Sequence, residues 1–174
     1  AGTLYSVAEI AALAAIAHKS GMVVHMDGAR FANAVAGLNV TPRALTVAAG
    51  VDLMSFGGTK NGCWAAEAIV VFEPDRWPDL QILKSRAGHS FSKMRFVAAQ
   101  FEGYFDGDSW LRTARHANGL AKRLAEDIVS SGKARVCWNV EANEMFAILP
   151  NATIGRLKSG GARFQPWPTT AVKL

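Results

Sequence analysis

The chain has 174 residues, half of them hydrophobic, which is material for one full-size domain or for one domain and part of another. The net charge of +5 is a mild excess spread along the chain, and the aromatic residues do not alternate with the basic ones, so no nucleic-acid reader is indicated. The two cysteines, Cys63 and Cys137, form no CxxC pair, which argues against a disulfide framework or a zinc site and fits a reducing cytosol; the apolar run AEIAALAAIA at 8–17 contains Glu9 and is too short to span a membrane.

In chain order, Ser6-Val7-Ala8-Glu9 reads as a capping box, and apolar residues at Val7, Ile10, Leu13, Ala14 and Ala17 predict a helix that Gly21 ends. His18 reads as an ordinary residue of that helix's last turn. Met22 to Met26 predicts a short strand, stopped at Asp27-Gly28, and Ala29 to about Ala36 a short helix. Thr41-Pro42 caps another helix that runs to about Ala49. Val51 to Phe56 and Ala65 to Phe72 predict two further strands. This rhythm implies βαβ units and a mostly parallel sheet with covering helices.

From Asp75 to Phe105 the pattern is helical with a break near Gly88. It includes the basic patch LKSRAGHSFSKMR at 83–95, which holds His89. Asp106-Gly107-Asp108 reads as a turn and a domain junction, dividing the chain into 1–106 and 107–174. A long helix follows, capped at Asp108 or Ser109, with His116 on its surface. Strands at Arg135–Trp138 and Glu144–Leu149, a helix at Ala152–Lys158 and a last strand near Phe164 make a small α+β domain. The chain begins Ala1-Gly2-Thr3 and ends Lys173-Leu174 straight after an apolar step, as a segment of a longer protein would.

The chemistry concentrates at VDLMSFGGTKNG, residues 51–62. A lysine stands here in a glycine-rich turn directly after a strand. The order of residues is not that of a P-loop, which would need GxxxxGK[ST] opening a helix. Two readings of Lys60 remain: a solvated turn lysine, or an amine partly desolvated at a strand's carboxyl end and free to attack a carbonyl. Flanking glycines would let the backbone approach a flat ligand, and Ser55 and Thr59 offer hydroxyls to a phosphate.

The neighbouring strand ends VVHMDGAR, with Asp27 at its tip. Asp27 alone could cap the next helix, and Arg30 alone could be a surface salt bridge. Together with Lys60, at two strand ends joined by a helical crossover, they read as a cofactor site: a carboxylate for a protonated pyridine nitrogen and a guanidinium for a substrate carboxylate. His25 and Asp27 could be read as two metal ligands, but no third at suitable spacing accompanies them.

HMDGARFANA at 25–34 followed by SFGGTKNG at 55–62 resembles the low-specificity L-threonine aldolases of the β-eliminating lyase group. The resemblance continues through GTLYS (2–6), AGHSFSKMRFVAAQ (87–100), NEMFAILP (143–150) and GARFQPW (161–167). It implies the aspartate-aminotransferase-like fold of pyridoxal-phosphate enzymes, fold type I. Residues 1–106 would be the C-terminal part of the large domain, and 107–174 the small domain. It implies that Lys60 binds pyridoxal phosphate covalently, that Asp27 pairs with the pyridine nitrogen, and that Arg30 holds the cofactor's phenolic oxygen or the substrate carboxylate. Lys84, Lys93 or Arg95 would approach a phosphate, that of a neighbouring subunit included. Lys173 stands where the family usually has an arginine for the substrate carboxylate, and a lysine is a point charge rather than a fork. The family's phosphate-binding glycine loop and ring-stacking histidine lie in a half this chain does not hold. The implied activity is cleavage of threonine or allo-threonine to glycine and an aldehyde, by a cytoplasmic homo-oligomer. Another lyase or aminotransferase on the same scaffold, or a segment that binds no cofactor alone, are the alternatives.

Overall fold

A computed structural model describes residues 2–167. Helix α1 spans Val7–Lys19. Its capping box forms as the sequence predicts: Glu9 N–H donates to Ser6 Oγ (3.2 Å), and Ser6 N–H donates to Glu9 Oε2 (2.7 Å). The Ser6 N–H and the Ser6 hydroxyl, which also donates to Glu9 Oε2 (2.8 Å), hold the Glu9 carboxyl below its ordinary range. After α1 the chain passes through exposed Met22 and Val23 and enters strand β1 at His25–Gly28. The strand therefore begins later than the expected Met22. A strand needs a partner, and pairing with β2 (Leu53–Gly57) starts at His25↔Leu53.

Between the two strands lie helix α2 (Phe31–Leu38) and helix α3 (Pro42–Leu45). The helix expected to reach Ala49 stops at Leu45. Thr46 leaves helical geometry at φ −125°, ψ −104°, and a 3-10 turn continues over Val47–Ala49. Thr46 is buried and donates its hydroxyl hydrogen to the Pro42 carbonyl at 2.7 Å, a local side-chain bond that competes with continuation of the helix.

The β1–β2 pair is parallel, with Met26↔Met54, Asp27↔Ser55 and Gly28↔Phe56 opposite one another. Strand β3 (Glu67–Val71) joins the other side of β2 and runs antiparallel. The short turn bearing Lys60 leaves no room for a helical crossover, so the chain can only fold back on itself. The side chains alternate. Met54 and Phe56 point into the core, whereas Ser55 shares a face with Asp27 and the half-exposed Ile69.

A 3-10 turn at Pro74–Arg76 leads to helices α4 (Leu80–Arg86) and α5 (Met94–Phe105), with the expected break at Gly88 in a left-handed conformation. The core beneath the sheet is aromatic. Phe56 lies 5.7–6.4 Å, ring centre to ring centre, from Phe31, Phe101, Tyr104, Phe105 and Trp110. Such tilted and edge-on contacts add to the burial of the rings themselves.

At the opposite end of β2, Asp52 is buried and accepts from Val24 N–H (2.7 Å), from His18 Nε2–H (2.8 Å) and from Arg76. His18 is thus not an ordinary last-turn residue; it ties α1 to the start of the sheet. Burial alone would raise the Asp52 carboxyl, but the three donors together hold it below the usual carboxylate range.

Helix α6 spans Ser109–Ser130. The expected junction at 106/107 is a 3-10 turn, Asp106–Asp108, while the compact units are Leu4–Ala117 and a second one from Asn118 onward that includes the first residues of the chain. The division falls inside α6. The second unit holds a two-stranded antiparallel ribbon, β4 (Arg135–Val136) with β5 (Ala147–Ile148), shorter than predicted, and helix α7 (Asn151–Ser159). Residues 162–167 form no strand, so the one expected near Phe164 is absent there. The Phe164 ring packs against the Lys158 ammonium at 5.5 Å instead.

Candidate active site

Parallel pairing of β1 with β2 brings two carboxyl ends to one edge of the sheet. Asp27 and Arg30 leave the first end, and Lys60 follows the second in a 3-10 turn over Thr59–Asn61. The three residues singled out in the sequence therefore share one edge, at the position where open α/β sheets bind ligands. Asp27 is exposed, and its Oδ1 accepts from Ala29 N–H at 2.9 Å, which fixes the carboxylate on the bend after β1. It does not cap α2, whose N-cap residue is Arg30. Arg30 is half-buried.

Lys60 is exposed. The desolvation expected of it is not supplied by the residues of this turn. Ser55 sits opposite Asp27 across the β1–β2 pair, and Thr59 is in the lysine turn, where its N–H donates to Glu67 Oε1 at 3.2 Å. Lys93 and Arg95 are exposed and Lys84 is half-buried, on α4 and at the start of α5. Lys173 lies outside the described residues.

Two of the glycines are required by contacts within the chain itself. A Cβ on Gly57 would stand 2.8 Å from Ala29 Cα, and one on Gly58 would stand 2.8 Å from the Ala66 carbonyl oxygen and 2.9 Å from Cys63 Sγ. They let the chain approach itself, so that the two loops carrying Asp27 and Lys60 meet. Gly62 meets nothing within 4 Å, and its φ of +118° is the reason for a glycine there.

Several residues around the lysine turn lie in or near the quoted motifs but were given no role from the sequence. Asn61 is buried, and its Nδ2 donates to Tyr104 Oη (2.7 Å) and to the Trp110 carbonyl (2.8 Å). Gln100 Oε1 accepts from Trp64 N–H (2.7 Å) and Ala65 N–H (3.2 Å). Burial pushes the Tyr104 hydroxyl up, and the bond from Asn61 only partly offsets this. Burial and the nearby Glu67 push the Cys63 thiol up, away from the reactive thiolate form.

A cavity of about 560 Å³ opens on the other face of the sheet, between Met54, Phe56, Val70 and Phe101. Its walls are almost wholly apolar, with Arg43 and Thr46 as the polar members, and include none of Asp27, Arg30 or Lys60. Among the described residues no three His, Cys, Asp or Glu side chains come together as a metal site.

An amine, a carboxylate and a guanidinium thus follow two adjacent strand ends on one edge of the sheet. The pattern of the beta-eliminating lyase family matches residues 1–153. The chain belongs to the beta-eliminating lyase family. Within that family it is 43% identical over 163 residues to a low specificity L-threonine aldolase of Pseudomonas aeruginosa and 39% identical over 163 residues to one of a Pseudomonas species. Each match covers 94% of this chain and 47% of the relative, so the chain spans about half the length of these proteins. Its fold superposes on a solved threonine aldolase of Leishmania major with a TM-score of 0.80, at 24% identity, covering 89% of this chain and 45% of that one. The beta-eliminating lyase fold is thus present in part, with the two strand ends that carry Asp27 and Lys60.

Proposed function

We propose that this chain is part of a pyridoxal-phosphate-dependent lyase that cleaves threonine, allo-threonine and related β-hydroxy-α-amino acids between Cα and Cβ, giving glycine and an aldehyde. The observation that carries the reading is the parallel β1–β2 register, which sets Asp27, Arg30 and Lys60 on one edge. The names of the two Pseudomonas relatives support the choice of reaction. The chemistry of the donor set fits the cofactor: an exposed primary amine can bond to an aldehyde, and an exposed carboxylate with one oxygen engaged can hold a protonated ring nitrogen.

When bound, pyridoxal phosphate supplies an aldehyde that takes up the substrate amine and a ring that accepts the electron pair released as the Cα–Cβ bond breaks. Lys60 would provide the amine that holds the cofactor. Asp27 would offer its carboxylate to the protonated ring nitrogen. Arg30 binds the cofactor's phenolic oxygen or, with Lys173, the substrate carboxylate. Ser55, Thr59 and the cations Lys84, Lys93 and Arg95 are the candidates for phosphate oxygens. The working form is a homo-oligomer, and the free thiols Cys63 and Cys137 suit a cytoplasmic setting.

The test is borohydride trapping on the full-length protein with pyridoxal phosphate, followed by peptide mapping and an assay with threonine. Pyridoxyl mass on Lys60, lost in Lys60→Ala, with acetaldehyde and glycine formed from threonine, is the expected result. A keto acid in place of the aldehyde would assign an aminotransferase instead, and label scattered over surface lysines would remove the site.

A further inference from the structure

Asn61 is buried while its neighbours Lys60 and Gly62 are exposed. Its two bonds reach acceptors 43 and 49 residues away, the Tyr104 hydroxyl on α5 and the Trp110 carbonyl in the first turn of α6. Both acceptors are in the aromatic core, so removing the carboxamide would leave two buried oxygens without that donor. On the far side of Gly62, Gln100 of α5 takes two successive backbone N–H groups. Inside the turn, Asn61 N–H and Cys63 N–H both donate to the Gly58 carbonyl at 3.1 Å. The lysine thus stands on a turn bracketed by two glycines and pinned to the helical layer. Without the pins, Gly62, which has open space around it, would let the turn's far end swing.

We infer that Asn61 is a positioning residue for Lys60: its carboxamide clamps the lysine turn to Tyr104 and Trp110 and so sets where the amine stands relative to Asp27. The inference rests on the reading of Lys60 as the cofactor-binding amine. Reactive groups need placement finer than about 1 Å, and a slip of that size lowers rates by about a hundredfold. The lysine's own side chain is long and exposed, so its accuracy has to come from the backbone beneath it. The bland alternative is a core asparagine that contributes stability and nothing else. It predicts that any equally destabilising change would act the same way.

The experiment uses the full-length protein. The rate of borohydride trapping of pyridoxal phosphate at Lys60 is followed against pH, and hydrogen exchange of the amides of residues 59–65 is measured alongside. Asn61→Ala should slow trapping at Lys60 by about tenfold to a hundredfold, displace its pH profile and speed exchange in the turn. Tyr104→Phe removes one acceptor, keeps the Trp110 bond and should give a smaller loss; it also stands in if Asn61→Ala does not fold. Asp52→Asn, at the opposite end of β2, should lower the denaturation midpoint and leave trapping as it was. Trapping at the unaltered rate in Asn61→Ala, or in Tyr104→Phe where that variant stands in, would overturn the inference, as would an equal loss in Asp52→Asn. Should the unsubstituted protein itself fail to trap at Lys60, the proposed function falls. Exchange then decides the clamp: faster exchange confined to 59–65 in Asn61→Ala upholds it, and unchanged exchange ends it.

Discussion

Gly57 packs directly on Ala29, with room between them for a hydrogen and for nothing larger. This contact joins the loop after β1 to the turn after β2, and so joins Asp27 to Lys60. Gly57→Ala should force the two loops apart. The expected loss is about 1–3 kcal/mol, the scale of an overpacked site. Chemical denaturation would measure it, and cofactor affinity should fall further than stability does. Unchanged affinity at reduced stability would mean that the loop contact does not set the site.

Asp27→Asn separates charge from structure. The carboxamide oxygen can still accept from Ala29 N–H, so stability should change by no more than about 0.5 kcal/mol. Aldehyde release by the full-length enzyme should fall about a hundredfold or more, the scale of a lost electrostatic partner in an active site. A variant of full activity would show that this carboxylate is not the ring's partner.

Asp52 links stability to acid. Its carboxyl is held below the unfolded value of about 3.9, so its contribution is complete above that value and lost as pH falls through the lower folded one. The denaturation midpoint of the unsubstituted protein should therefore exceed that of Asp52→Asn near neutral pH, with the gap closing below about pH 4. Asp52→Ala should cost about 1–3 kcal/mol, because Val24 N–H is left without its acceptor. A gap that stays constant down to pH 3 would show that folding does not lower the Asp52 carboxyl.

Phe56 sits at the centre of five aromatic contacts and is buried, whereas Phe105 is 47% exposed. Phe56→Ala should cost about 3–5 kcal/mol and Phe105→Ala clearly less. Urea midpoints of the two variants would check the order. A smaller loss at Phe56 would mean that the core collapses around the vacancy.

Local signals were legible in the residues themselves. The Ser6–Glu9 box, the stop at Gly88 and the end of β1 at Asp27-Gly28 depend on neighbours in the chain, and the structure shows each of them. Boundaries set by partners were not legible. β1 begins where Leu53 lies opposite, α3 stops because Thr46 bonds back to Pro42, and the division between units falls inside a continuous helix.

The same division holds for the site. The motifs HMDGAR and SFGGTKNG were enough to choose Asp27, Arg30 and Lys60, because amine, carboxylate and guanidinium carry their chemistry in any conformation. Their meeting on one edge required the parallel register, and the purpose of Gly57 and Gly58 emerged only when Ala29 and Ala66 were seen against them. Asn61, Gln100 and Tyr104 are unremarkable letters in the sequence. They became visible through bonds that close over 35 to 49 residues, and no local pattern encodes a partner at that distance. By itself, then, the sequence determined the candidate groups and the local turns and caps. The tertiary structure decided which strand ends share an edge and which distant residues bond to the lysine turn, because long-range hydrogen bonds and close packing exist only once the chain has folded back on itself.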